Sequence, residues 1–467
     1  MRSAAGAPSD LTALTLTQAA DLLRRRRASP VELTRACLQR IEKHDPALHS
    51  FITVTAEPAL AAAREREAEQ RRGNWRGPLD GIPIALKDNI DTAGIRTTGG
   101  SELFKDRVPA EDAEVVRRLK DAGAVLLGKL NMVEFAYGGN PAVTYFGTVH
   151  NPWALDRSPG GSSSGPGAAV AAGLCFGSLG TDDAGSIRIP AANCGIVGFK
   201  PTYGRVSLRG IIPLSWTLDH AGPLCRTVED AALLLGAVAG YDAMDPSTAN
   251  QPVPDYRRAL MMPTARLRLG RPAALFEDLD PEVARAMDEA LTILRKLTAG
   301  MRDVRLPATG NPAQVWGPEA LAYHAKWFAE TPEKYQPATR RQLEQAASEK
   351  AADYAQAIRD VALVRREIRK VFEDVDLLVA PTMVRPPDLL NGPANTAGRG
   401  PGPARNNNVP FDIYGVPAIS LPCGFTKSGL PIGLQIVGAP FAEPTVLALA
   451  HAYEQATEWH LRRPQLA

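Results

Sequence analysis

Cysteine, histidine and net charge are all scarce in this chain, and each shortage excludes a class of protein. The 467 residues include five cysteines, no two at C-x-x-C spacing, so neither a zinc knuckle nor a disulfide framework is predicted. The seven histidines form no H-E-x-x-H motif, and we expect no metal and no cofactor. A formal net charge of +2 gives no electrostatic signature for binding nucleic acid or an anionic membrane.

Long hydrophobic runs are missing as well. No stretch approaches the ~18 consecutive apolar residues that a membrane span requires. The first residues carry one arginine but no apolar core behind it, so they do not resemble a secretory signal. Together with the scattered cysteines, these features lead us to expect a cytoplasmic protein that has no membrane partner.

Short apolar runs alternate with segments of helical periodicity along the chain. This alternation predicts an α/β fold, a single large domain over residues 1–467 with a mixed β-sheet core flanked by helices. Residues 245–375 are predicted to be a helical insertion within it, and residues 385–405, rich in Pro, Gly and Asn, a mobile loop. The predicted strands are 81–88, 124–128, 377–380, 418–421 and 432–437. The predicted helices include 17–26, 30–43, 115–122, 168–175, 281–297 and 337–372.

Glycine is concentrated in one segment, because residues 160–223 hold 13 of the 40 glycines. A flexible linker is a poor explanation, since a helix of small side chains follows the Gly/Ser loop at once. A phosphate-binding loop would need a lysine that is missing here. Residues 161–165 match the G-x-S-x-G nucleophile elbow with Ser163 at its centre, but no hydrophobic strand precedes them. These three interpretations are therefore disfavoured.

A set of ordered motifs resembles the amidase signature family of serine hydrolases. The glycine- and serine-rich loop precedes a G-T-D-x-x-G-S-I-R-x-P motif, and both follow a strand that ends in Lys-Asp-Asn. The resemblance extends over most of the chain and is looser over residues 240–410. The other motifs that carry it are residues 77–89, 97–101, 128–135, 151–153, 198–202 and 429–438.

The resemblance implies a Ser–cis-Ser–Lys catalytic triad. Lys87 occupies the lysine position of the strand-end motif, Ser162 the position that follows a cis peptide bond after Gly161, and Ser186 the position of the nucleophile. A serine hydroxyl needs a base to remove its proton, and no histidine lies near these motifs. A lysine can be that base when burial keeps it neutral. Ser162 would then relay the proton between Ser186 and Lys87.

The resemblance also assigns the surroundings of the triad. Asp182 and Arg188 are expected to brace the turn before the nucleophile, the alternative being an exposed surface salt bridge. Tyr137 could contact the substrate or be a core aromatic. The expected backbone donors to the oxyanion are Asp183, Ala184, Gly185 and Ser186, and the expected substrate contacts are Ala136, Tyr137 and Gly138.

Three places depart from the family pattern. Ala184 stands where glycine is common, and its Cβ disfavours a positive φ in the oxyanion turn. Ser164 and Pro166 replace residues that are usually glycine and small, which stiffens the loop after Ser162. Asp412 stands where asparagine often occurs. Because all three lie near the predicted site, substrate preference could differ from that of the family.

The expected reaction is hydrolysis of the C–N bond of an amide through an acyl-enzyme on Ser186. We expect a stand-alone amidase, monomeric or homodimeric, whose partner is a small-molecule amide, carbamate or ester. The aromatic residues of the helical segment favour an aryl or hydrophobic substrate, although such spacing also fits a packed helix face. The alternative is the glutaminase (A) subunit of a tRNA-dependent glutamine amidotransferase, which requires partner subunits. A non-catalytic relative is disfavoured because the triad is complete. The aromatic residues are Trp316, Tyr323, Trp327 and Phe328.

Overall fold

One mixed sheet runs through the computed structural model, which describes residues 10–138, 144–390 and 406–466. Within these ranges the sheet has eleven strands, and its order is β1-β3-β2-β4-β6-β5-β10-β11-β9-β7-β8. The strands are β1 Phe51–Val54, β2 Pro83–Lys87, β3 Val125–Leu130, β4 Gly177–Asp182, β5 Val197–Lys200, β6 His220–Cys225, β7 Arg268–Pro272, β8 Gly300–Val304, β9 Leu377–Pro381, β10 Ala418–Phe425 and β11 Pro431–Gly438.

Helices pack against the sheet, and their starts follow ordinary capping rules. α2 begins after Ser29, whose hydroxyl accepts from the Glu32 N–H while the Glu32 carboxylate accepts from the Ser29 N–H, and Pro30 occupies the first helical position. The α-helices of the described ranges are α1 Leu16–Arg24, α2 Pro30–Leu48, α3 Ala56–Arg71, α4 Glu114–Asp121, α5 Ser164–Ala171, α6 Arg188–Cys194, α7 Val228–Val238, α8 Tyr256–Ala259, α9 Pro281–Leu297, α10 Ala313–Glu330, α11 Pro337–Ala346, α12 Ala351–Asp374, α13 Val409–Ile413 and α14 Glu443–Gln455.

The predicted α/β architecture is confirmed, including the return of the late strands to the sheet begun in the first half. β10 lies between β5 and β11, and it joins the two halves of the chain by antiparallel pairing. The main hydrophobic core packs on this sheet, with every residue of β2, β4, β5, β6, β10 and β11 buried. Strands buried on both faces explain the continuous apolar runs of β2 and β9.

The segment predicted as a helical insertion is more mixed than expected. Residues 245–375 include α9, α10, α11 and α12, but they also contribute β7 and β8 to the edge of the main sheet. The periodicity predicted one helix over residues 337–372, whereas the structure has α11 and α12 with a break between Ala346 and Ala351. α9 spans 281–297 as predicted. Of the predicted loop at 385–405, residues 391–405 lie outside the described ranges.

Two parallel neighbours in the sheet position the candidate site. β2 pairs with β4 in parallel register, with Leu86 opposite Leu179. The carboxyl ends of both strands therefore meet at one edge, where open α/β sheets commonly bind ligands. In the described part of the chain no helix is both long and apolar enough to cross a membrane.

Candidate active site

Lys87 ends β2 and makes two hydrogen bonds that join three elements. Its Nζ donates to Ser162 Oγ at 2.7 Å and to Thr181 Oγ1 at 2.8 Å. Asn89 Nδ2 donates to the same threonine hydroxyl at 3.2 Å. Because β2 and β4 are parallel and adjacent, Thr181, one residue before the end of β4, lies beside Lys87. The arrangement fixes the lysine amine against Ser162.

Ser162 and Ser186 lie on two loops that are joined by backbone contacts. The Ser163 N–H donates to the Ser186 carbonyl at 3.3 Å, and the Ser162 carbonyl accepts from the Val133 N–H at 3.1 Å. The peptide bond between Gly161 and Ser162 is cis. Both serine side chains line one cavity, and each residue is less than one-tenth exposed.

A glycine explains how the loop that carries Ser162 can lie so deep. A Cβ at Gly165 would lie 2.5 Å from the carbonyl oxygens of both Asn131 and Ser50. Only glycine therefore lets the first turn of α5 approach these backbones. Pro166 falls in that same first turn, where a helix needs no N–H donor, so this departure from the family pattern is accommodated.

Burial controls the proton affinity of Lys87. The side chain is fully buried, and loss of hydration of its charged form lowers the pKa of Lys87 to about 7, against the opposing charges of Asp183 and Asp219. Burial likewise raises the pKa of Asp219 to about 7, although its carboxylate accepts from the Leu214 and Ser215 N–H groups at 2.9 and 3.1 Å. Neutral amine is therefore well populated near pH 7.

The turn from Asp182 to Arg188 is braced from inside the protein. The Asp182 carboxylate accepts from the Gly185, Ile187 and Arg188 N–H groups at 2.6, 3.0 and 3.3 Å. It also accepts from the Arg188 guanidinium at 2.9 and 3.0 Å. Both side chains are fully buried, so this pair is not the exposed salt bridge of the alternative interpretation. Burial alone would raise the pKa of Asp182, but Arg188 outweighs it and holds that pKa well below its usual range.

Asp412 is part of the same buried network. Its Oδ2 accepts from Arg188 Nη2 at 2.5 Å, while Arg188 Nη1 donates to Gln435 Oε1 at 2.7 Å and to the Asn408 carbonyl at 3.1 Å. One guanidinium thus faces two buried carboxylates. Burial raises the pKa of Asp412 well above its usual range, although the charge of Arg188 opposes this shift.

One predicted oxyanion donor, Gly185, already has an acceptor within the protein, and the Cβ of Ala184 fits the turn. The Gly185 N–H donates to Asp182 Oδ1, so it is committed to that carboxylate. Asp183, Ala184 and Ser186 remain the candidates for that role. Ala184 has no positive φ, whereas Gly185 takes φ +106°, so the Cβ of Ala184 causes no conflict.

A cavity of about 500 Å³ opens over these groups. The three predicted substrate contacts all line it. Tyr137, for which a core position was the alternative, is 7% exposed and lines the wall. Of the aromatic residues of α10, Trp316 reaches the cavity, whereas Tyr323, Trp327 and Phe328 pack against Phe104, Phe135 and Tyr335. The cavity is lined by Val133, Ala136, Tyr137, Gly138, Ser158, Gly160, Gly161, Ser162, Asp183, Ala184, Ser186, Ile189, Asn193, Leu214, Trp316, Gln342, Met383, Val384, Arg385, Pro386, Asp388 and Asn406.

Several groups at the site carried no prediction. Thr181 belongs to the G-T-D motif, and its place in that motif is the sequence signal that could have identified it as a partner of Lys87. Asp219 and Met383 come from distant segments, and no local pattern marks them. In the described ranges no group of three His, Cys, Asp or Glu side chains could hold a metal ion.

Comparison with known proteins identifies the class of enzyme. The family model described as Amidase matches residues 32–447 of the chain. The protein belongs to the amidase family and is a hydrolase that acts on C–N bonds.

Individual relatives cover nearly the whole chain. The A subunit of the glutamyl-tRNA(Gln) amidotransferase of Moorella thermoacetica is 42% identical over 98% of this chain and 99% of that protein. The solved structure of the corresponding subunit from Thermotoga maritima has a TM-score of 0.82 and 30% identity, covering 99% of this chain and all of that one. The native peptide amidase of Stenotrophomonas maltophilia has a TM-score of 0.84 and 32% identity, covering 97% of this chain and 98% of that one.

These relatives overturn the expected partners. The sequence predicted a small-molecule enzyme without nucleic acid, monomeric or homodimeric. The name of the 42% identical relative instead describes one subunit of an enzyme that acts on a tRNA. A net charge of +2 does not exclude membership of an enzyme that acts on tRNA, because in a multi-subunit enzyme the nucleic acid can contact a different subunit.

Proposed function

We propose that this chain is the amide-hydrolysing subunit of a glutamyl-tRNA(Gln) amidotransferase and releases ammonia from glutamine. The observation that carries this choice is the 42% identity, over 98% of the chain, to the A subunit of such an enzyme. The site supports C–N hydrolysis, because Ser162 and Ser186 line the cavity and Lys87, at the carboxyl end of β2, is bonded to Ser162.

The chemistry follows from the contacts around Lys87. Neutral Lys87 takes a proton from Ser162, which takes one from Ser186, and the Ser186 Oγ attacks the amide carbon. The C–N bond breaks as Ser162 gives a proton to the nitrogen and recovers one from protonated Lys87, and ammonia leaves behind an acyl-enzyme ester. Water then attacks that ester by the same proton path, and the acid and free Ser186 are regenerated. Backbone N–H groups of residues 183, 184 and 186 would stabilise the oxyanion.

Charged groups at the mouth of the cavity suit an amino-acid substrate. Arg385 and Asp388 both line this region and are exposed, and they carry opposite charges. The α-carboxylate of glutamine could pair with the Arg385 guanidinium while its side-chain amide reaches Ser186. The ammonia would then pass to the glutamyl-tRNA bound by a partner subunit, where its γ-carboxylate must first be activated by a nucleoside triphosphate so that a phosphate can leave as the amide forms.

A transfer assay tests this proposal. The full-length chain, purified with the chains that accompany it, is incubated with glutamine, glutamyl-tRNA(Gln) and ATP, which supplies the activation that a carboxylate needs before ammonia can form an amide. We expect conversion to glutaminyl-tRNA that depends on glutamine and disappears in Ser186→Ala. Ammonia release without any transfer to tRNA would show that the protein is only a glutaminase and would contradict the amidotransferase assignment.

The apolar part of the cavity favours a second candidate, an amidase for aryl or hydrophobic amides. Trp316, Tyr137 and Leu214 line the same space, and the peptide amidase similarity is at 32% identity. Turnover of p-nitroacetanilide with no turnover of glutamine would favour this candidate. The comparisons lend no support to the predicted carbamate and ester activities.

A further inference from the structure

Asp183 has a buried carboxylate oxygen that lacks a donor. Asp183 is 3% exposed, and it lines the cavity together with Ser162 and Ser186. Its Oδ2 is buried without a hydrogen-bond partner among the described residues. The adjacent Asp182 instead accepts from three backbone N–H groups and a guanidinium. A buried polar atom of this kind needs an explanation, and a ligand that supplies the donor is one.

The surroundings of Asp183 disfavour its ionised form. Burial and the like charges of Asp219 and Asp182 raise its pKa well above the usual range, against the opposing charge of Lys87. Burial, and after it the charge of Asp183, raises the pKa of Tyr137 on the cavity wall. Whether ionised or protonated, a carboxyl group keeps an oxygen that can accept an N–H donor.

The position of Asp183 beside the reacting groups indicates which donor it meets. A substrate carbonyl must lie against Ser186, and the nitrogen that leaves must face Ser162, which returns the proton. Asp183 lines the cavity beside Ser186 and Ser162, and Lys87 is bonded to Ser162. An amide nitrogen carries N–H groups at this point, whereas the leaving oxygen of an ester carries none.

We propose that Asp183 is a specificity-determining residue whose carboxyl oxygen accepts an N–H from the leaving nitrogen, so that primary amides are preferred over esters. The inference rests on the proposed function only in that both require C–N cleavage. It extends that function by naming the group that distinguishes the two leaving atoms.

Matched amide and ester pairs test this proposal. The full-length protein, with the chains that accompany it, is assayed on glutamine against glutamate γ-methyl ester and on propionamide against ethyl propionate. We expect the amide-to-ester ratio of kcat/KM to fall about 2- to 10-fold in Asp183→Ala, the usual effect of losing a hydrogen bond to an uncharged acceptor, since the raised pKa favours the protonated carboxyl. Asp183→Asn keeps one acceptor oxygen and should lose less. Asp303→Asn removes a carboxylate from an exposed pair with Arg271, outside the cavity, and should leave the ratio unchanged.

The outcomes separate this inference from the proposed function. An unchanged ratio in Asp183→Ala, with either amide turned over by the wild type, overturns the inference alone. A change that vanishes at about pH 9, where Lys87 is neutral in both proteins, would show that Asp183 acts through Lys87 and also overturns it. Wild-type turnover of propionamide but not glutamine overturns the proposed function, and the second pair still decides the inference. A wild type that hydrolyses both esters and neither amide contradicts both.

Discussion

In the proposed mechanism Lys87 is the base, and burial makes its neutral form available near pH 7. The amine is fully buried and bonded to two hydroxyls, and its pKa falls to about 7 from the ordinary lysine value of about 10. The role of this residue follows from its place in the motif. Its environment could not be predicted, because Thr181 and Asp219 reach it from separate segments.

Replacing Lys87 with methionine should remove activity and preserve the fold. Methionine keeps the apolar stem in its buried site but cannot accept a proton. We expect kcat/KM for an amide to fall by roughly 10²–10⁴-fold, the usual contribution of a general base. Steady-state kinetics and far-UV circular dichroism measure the two effects. Lys120→Met, on the exposed face of α4, is the control, and similar losses in both variants would contradict the role of Lys87.

The pH profile should report the same group. Because the neutral amine is the active form and its pKa is about 7, amide kcat/KM should rise as pH increases through 7 and level off above it. A series of kcat/KM measurements across neutral pH checks this. A rise that occurs only near the ordinary lysine pKa of about 10 would show that burial does not tune this base.

At the scale of elements, apolar runs in the sequence predict some strands of the sheet and miss others. The sequence predicted β2, β3, β9, β10 and β11 from their apolar runs. It did not predict β4 or β6. Neighbouring atoms leave no room for a side chain at several positions of these strands, so glycines stand there and interrupt the apolar pattern. A Cβ at Gly222 would lie 2.2 Å from the Phe199 carbonyl oxygen, and one at Gly180 would lie 2.7 Å from Ser163 Oγ. Because of this close packing, the apolar periodicity of the sequence does not reveal these two central strands.

Removing the Arg188 guanidinium, which braces the turn between β4 and α6, should lower the stability of the protein. Arg188→Met leaves the buried carboxylates of Asp182 and Asp412 without their cation, so we expect a loss of about 3–5 kcal/mol in the free energy of unfolding. Urea denaturation measures it. Arg302→Met breaks the exposed pair with Asp374 and should cost less than about 1 kcal/mol. Equal costs for the two variants would refute the bracing role.

Gly185→Ala should distort the same turn. The residue has φ +106°, and an added Cβ would lie 2.7 Å from the Asn408 Cβ. We expect a loss of about 1–3 kcal/mol in stability and, as the oxyanion donors move, a drop of roughly 10²–10³-fold in kcat. Gly429→Ala is the matched control, since it has φ +83° but open space around it. Full activity in Gly185→Ala would rule out a tightly constrained turn.

At the scale of the whole molecule, fold and family were predictable, whereas partners were not. The motifs are spread over most of the chain, and a single sheet brings them together. Partner subunits leave no comparable mark, because a near-neutral surface suits both an isolated enzyme and one subunit of an assembly. The aromatic residues of α10 illustrate the same limit, since three of the four pack internally and one reaches the cavity.

Ammonia release from glutamine by the wild type and by Ser186→Ala tests the central claim most directly. The protein is purified with the chains that accompany it, and ammonia is measured over time at about pH 8, where neutral Lys87 predominates. The account predicts steady release by the wild type and only background release by Ser186→Ala. Equal release by the two proteins would contradict the assignment of Ser186 as nucleophile, and no release by the wild type would contradict glutamine as the substrate.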